Sequence, residues 1–81
     1  MQQLITTPGQ VGEVLRARRT SRRIPQRELA AQLGISQGRM SALESAPATL
    51  TLDRLIVLAN LLGLELVLRD KTDMPGTSGE W

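Results

Sequence analysis

This chain of 81 residues has no cysteine, no histidine, no tyrosine and no phenylalanine, and a single tryptophan. Without cysteine there is neither a disulfide nor a thiolate metal site, and without histidine no imidazole serves as ligand or general base. No metal or other cofactor is expected. The acids stand singly among arginines, and no glycine-rich loop precedes a helix to cradle phosphate, so the sequence assembles no enzyme active site. The lack of aromatics removes the stacking platforms on which single-stranded nucleic acids lie. No uninterrupted apolar run reaches the ~20 residues that span a bilayer, and no basic segment followed by an apolar one opens the chain. One small intracellular domain is expected, near the size at which a single core is only marginally stable.

The charge that is present is unevenly placed. Ten basic residues face eight acidic ones, a net +2. Between Arg16 and Ser41, however, seven arginines (Arg16, Arg18, Arg19, Arg22, Arg23, Arg27 and Arg39) face Glu28 alone. From Asp70 to the end, Lys71 faces Asp70, Asp73 and Glu80. The arginine-rich half suits neutralisation of duplex DNA phosphates and electrostatic steering. Arginines near a helix end can equally satisfy its terminal carbonyls.

The stretch from Gln26 to Ser45, QRELAAQLGISQGRMSALES, is the most informative. Two short amphipathic segments meet at Gly34, with Leu29, Ala30 and Leu33 as the apolar stripe of the first and Met40 and Leu43 that of the second. Ile35 follows the glycine. The small Ala30 lets the helices cross closely, and Gly34 takes the left-handed conformation that a tight interhelical turn needs. The second segment exposes Gln37, Gly38, Arg39 and Ser41, none of which a core requires. This is the pattern of a helix-turn-helix whose second helix enters the major groove.

Around it the periodicity predicts further helices. Thr7-Pro8-Gly9-Gln10 is a helix start, with threonine as cap and glutamine three residues on. Val11, Val14 and Leu15 share a face, and this helix runs to about Arg22, where Ile24-Pro25 breaks it. The next two helices cover Gln26 to Leu33 and, after the cap Ser36, Gln37 to about Ser45. Thr51 caps a fourth helix, Leu52 to Leu62, stopped by Gly63. On that helix Leu55, Ile56, Ala59 and Leu62 are placed toward the core, which leaves Val57, Leu58 and Leu61 in need of cover. Leu64 to Arg69 reads as a strand with three leucines on one face. A lone strand needs a partner. Either the short Leu4-Ile5 stretch or the same strand of a second copy can supply it, and the longer pairing in a homodimer is favoured. Its interface then takes Leu61, Leu64, Leu66, Val67 and Leu68. Residues 1–69 thus form a DNA-binding and dimerisation domain, and residues 70–81 a polar tail without periodicity. Trp81 at its end is either an ordinary terminus or an aromatic anchor for a partner protein.

These features resemble the Xre/Cro family of bacterial regulators and, over nearly the whole chain, the HipB-type antitoxins. The resemblance rests on the Thr7-Pro8 start, the Gln26–Ser45 core, the Thr51-Leu52 helix, the terminal strand and the closing Glu80-Trp81. It implies a mainly α, lambda-repressor-like domain of four to five helices whose C-terminal strand pairs across a homodimer. It further implies a bacterial cytoplasmic, nucleoid-associated antitoxin that binds palindromic operator DNA, represses its own operon and neutralises a HipA-type serine/threonine kinase toxin, with Glu80 and Trp81 touching the kinase. Membranes and small-molecule substrates are not among the partners implied. A stand-alone Xre regulator without a toxin is the alternative. By position on the motif, Ser36, Gln37, Gly38 and Arg39 read bases, Gln37 bidentate to adenine. Arg39 is placed for either a guanine or a phosphate. Gln26, Arg27 and Ser41 match phosphate-contacting positions, and Arg18 and Arg19 are further phosphate candidates. Gly38-Arg39 departs from the family's usual small-residue pair, so no operator sequence is implied.

Overall fold

The first helix begins where the sequence places it. In the computed structural model, which describes residues 2–71, α1 spans Pro8–Ser21 and the cap residue Thr7 is extended, with its N–H donating to Gln10 Oε1 at 3.0 Å. α1 closes through Arg22, whose N–H reaches Arg18 O at 3.1 Å, and Ile24 N–H reaches Arg19 O at 3.1 Å. α2 follows at Gln26–Leu33, its first carbonyl acceptor being Pro25 O, which receives Glu28 N–H and Leu29 N–H. Gly34 then takes φ +72° and Ile35 N–H returns to Ala30 O at 3.0 Å, a left-handed closure that spares a side chain steric cost. α3 spans Gln37–Ser45, a short 3-10 turn spans Pro47–Thr49, and α4 spans Leu52–Leu61. Ser36 and Thr51 cap α3 and α4, each side-chain oxygen accepting a backbone N–H three residues on.

Leu29, Met40, Leu58 and Leu62 are wholly enclosed, and Leu15, Ala30 and Leu43 complete the buried cluster. One residue from nearly every turn thus reaches a common centre. Val11, Ile24, Leu33, Ile35, Leu50 and Leu55 pack on its margin. No helix among the described residues is long and apolar enough to cross a membrane.

In the C-terminal third one expectation needs correction, and a second is not met within the single chain. On α4 it is Leu58 and Ala59, followed by Leu62, that are buried, while Ile56 remains 42% exposed beside Val57 and Leu52. Leu55, Ala59 and Leu62 face the core as expected, and Leu58 takes the place expected of Ile56 on the inward side. An almost uniformly apolar helix carries too little contrast to fix its own rotation, and the core chose. Secondly, among the described residues no strand forms. Gly63, at φ +71°, turns the chain and Leu64 N–H caps α4 by donating to Ala59 O at 2.8 Å. Residues 65–71 then run without a ladder partner, and the pairing with Leu4-Ile5 is not made. Leu61 and Leu64, assigned to a dimer interface, pack at least partly on their own core. Leu66, Val67 and Leu68 are exposed.

α1 and α3 approach so closely that one glycine is obligatory. A Cβ on buried Gly12 would lie 2.2 Å from Glu44 O and 3.1 Å from Pro47 Cγ. Helix propensity alone favours Gly12→Ala by about 1 kcal/mol, but overpacking against an immobile carbonyl costs about 1–3 kcal/mol. The substitution is expected to lower the urea midpoint, and an unchanged or raised midpoint would show that the contact is loose.

Candidate nucleic-acid interface

α3 divides its side chains cleanly between fold and solvent. Met40, Leu43 and Glu44 are buried, at the i, i+3, i+4 spacing of one helical face. Gln37, Gly38, Arg39 and Ser41 are exposed, and Gln37 and Ser41, one turn apart, share a face. Ser36 Oγ accepts from Arg39 N–H at 3.1 Å, so it builds the helix start and keeps its hydroxyl proton and a second lone pair for another partner. A Cβ on Gly38 would meet no atom within 4 Å, so the fold itself does not ask for glycine there. The exposed edge therefore offers an amide, a bare backbone, a guanidinium and a hydroxyl, which is a donor-rich surface of the width the major groove admits.

What holds this helix in place is a group that the sequence reading passed over. Glu44 is 4% exposed. Arg19 Nε donates to its Oε2 at 2.6 Å and Arg19 Nη2 to its Oε1 at 3.1 Å, a two-pronged ion pair. Gln26 Nε2 donates to Oε1 at 2.9 Å, and Arg16 Nε stands 3.7 Å away. The remaining Arg19 nitrogen, Nη1, donates to Ile24 O at 2.9 Å. One carboxylate thus ties α1, α2 and α3 together. Burial by itself pushes the Glu44 carboxyl up, but the hydrogen bonds from Arg19 and Gln26 and the charges of Arg19 and Arg16 outweigh it and hold the group below its ordinary value of 4.5. The signal was present in the sequence: an acid on the apolar stripe of α3, in a segment rich in arginine.

The network also changes the roles of residues assigned to phosphate. Arg19 spends all three guanidinium nitrogens on protein acceptors. Arg18 Nε donates to Leu62 O at 2.9 Å, with Nη2 3.5 Å from Gly63 O, and so caps the C-terminus of α4. Both have structural partners within the chain, and a guanidinium engaged in a part-buried bond leaves it only at a cost. Gln26 likewise commits its amide to Glu44 and stands at the start of α2 with its side chain oriented. Arg27 and Arg39 are exposed and keep their charge at the surface. Glu80 and Trp81 lie outside the described residues.

A family model described as helix-turn-helix matches residues 15–68, from the middle of α1 to past α4. No curated protein matches the chain.

The network implies a definite pH dependence. Because the folded Glu44 is held below 4.5, its contribution to stability is complete above that value and is lost as the pH falls through the lowered folded value. The urea midpoint of the wild type is expected to drop more steeply below pH 4.5 than that of Glu44→Gln. Glu44→Ala, which strands the Arg19 charge, is expected to cost about 3–5 kcal/mol at neutral pH. Parallel acid profiles for wild type and Glu44→Gln would show that the network contributes nothing.

Proposed function

We propose, from the premise that this chain belongs to the Xre/Cro-like helix-turn-helix family, that it is a homodimeric antitoxin that represses its own operon and neutralises a HipA-type kinase toxin. Its DNA-binding half rests on the family and on one observation: α3 exposes Gln37, Gly38, Arg39 and Ser41 while its other face is locked by Met40, Leu43 and Glu44. A rigid helix with an unemployed polar edge is what base reading requires. Gln37 takes an adenine, the bare backbone at Gly38 lets the helix approach the bases, and Arg27 and Ser41 hold phosphates.

The homodimer is supported by the exposed apolar side chains of α4 and the segment after it, Leu52, Ile56, Val57, Leu66, Val67 and Leu68. A second copy covers these, and antiparallel pairing of residues 64–69 across a two-fold axis supplies the missing ladder partner. Two-fold symmetry then presents two reading helices to a palindromic operator. The toxin partnership rests on the resemblance to HipB-type antitoxins, with Glu80 and Trp81 as contacts. Cytoplasmic location follows from the same reading.

Gln37→Ala is expected to lose about 1–3 kcal/mol per half-site at one base position and to relax specificity there. Gly38→Ala separates fold from function: it should stabilise α3 by about 1 kcal/mol and still weaken operator binding. Selection of a binding site from random duplexes, followed by titration of each variant, measures both, and unchanged discrimination by Gln37→Ala would place the reading surface elsewhere.

Sedimentation should find a dimer at micromolar concentration that Val67→Pro, lacking a ladder donor, dissociates. Affinity purification from the native cell with mass spectrometry should recover a serine/threonine kinase. Recovery of the regulator without one points to a stand-alone Xre regulator.

A further inference from the structure

Arg23, in the turn between α1 and α2, is the one non-glycine residue at positive φ among the described residues, at +59°. Its N–H donates to Thr20 O at 3.0 Å, and the following Ile24 N–H reaches Arg19 O. This is the left-handed closure of a helix end, where glycine is preferred because a Cβ adds steric cost. The same chain uses glycine after the next helix, at Gly34, and after α4, at Gly63. An arginine in this conformation stands against the local preference, and beyond the favourable place of its charge near the C-terminus of α1 the fold gives it no side-chain bond. Its side chain is exposed and takes part in none of the side-chain hydrogen bonds or ion pairs formed among the described residues, which occupy Arg18, Arg19 and Arg16 instead. Arg22 is also placed against the protein, its guanidinium lying over Gly63.

The backbone at Arg23 is nonetheless well fixed relative to α3. Ile24 packs on the core and its carbonyl receives Arg19 Nη1. Pro25, with φ −64°, leads directly into α2, where Gln26 is bonded to Glu44 of α3. A free guanidinium on a pinned backbone, next to the end of α2 that bears Arg27, has the character of a preorganised anion contact.

We propose that Arg23 binds a phosphate of the duplex backbone flanking the bases read by α3, and that its left-handed conformation is kept for this contact. The proposal rests on the DNA-binding reading given above. Arg23→Gly is the decisive variant because it removes the charge and the steric cost together without disturbing a single hydrogen bond of the turn. It should raise the thermal midpoint while weakening binding to a labelled duplex carrying the site that the wild type enriches from a random pool. The loss expected at 0.1 M salt is about tenfold per protomer, with the slope of log affinity against log salt reduced by about 0.9 for each contact removed. Arg23→Lys, which keeps both charge and conformation, should hold the wild-type slope. Gln37→Ala, run alongside, should change base preference and leave the slope alone. Wild-type affinity and slope in Arg23→Gly would overturn the assignment while leaving the DNA-binding reading intact. A wild type that enriches no duplex and shows no salt-dependent binding would overturn both.

Discussion

The buried carboxylate of Glu44 is the constraint on which the arrangement of the first three helices depends. An unpaired charge at that depth would expel itself to solvent or take up a proton, and either response would loosen the start of α2 or the end of α3. The fold answers with Arg19, whose three nitrogens are divided between Glu44 and Ile24 O, and with the amide of Gln26. Every donor in the set comes from a different element than the acceptor it serves, so satisfying the charge and orienting the helices are one event. The Gly12 contact to the Glu44 carbonyl acts on the same junction from the backbone side. Apolar packing around Met40 and Leu29 supplies most of the driving force, but it is less particular about rotation than a two-pronged ion pair.

From that anchor the division of α3 follows. With Met40, Leu43 and Glu44 turned inward, a helix of nine residues has no choice but to present Gln37, Gly38 and Ser41 outward. The exposed side chains of α3 are thus positioned by side chains buried beneath them. Specificity in such a design is a matter of a few exposed groups, whereas their placement is a property of the whole core.

The arginines illustrate how one residue type serves two ends. Arg18 and Arg19 hold α4 and α3 through carbonyl and carboxylate acceptors, whereas Arg23, Arg27 and Arg39 leave their charges at the surface. Composition counts them together as a basic segment. Only the geometry distinguishes a guanidinium that stabilises the protein from one available to a polyanion.

The helix boundaries were legible in the sequence, because caps and breakers are local: Thr7-Pro8, Ser36, Gly34 and Thr51 act through hydrogen bonds and dihedral preferences within a few residues of themselves. The polar edge of α3 was legible for a similar reason, since its 3.6-residue period set Met40 and Leu43 apart from Gln37 and Ser41. The inward face of α4 was legible only in part, because a helix apolar on nearly every side carries little periodic contrast, and it is the folded core, where Leu58 joins Leu29 and Met40 in one enclosed cluster, that buries Leu58 and not Ile56. The partners of Arg18 and Arg19, which lie 44 and 25 residues away along the chain, were not legible. A charge in the sequence has a sign but no direction. It is the folded chain that decides whether its nearest acceptor is a carboxylate, a helix end or water.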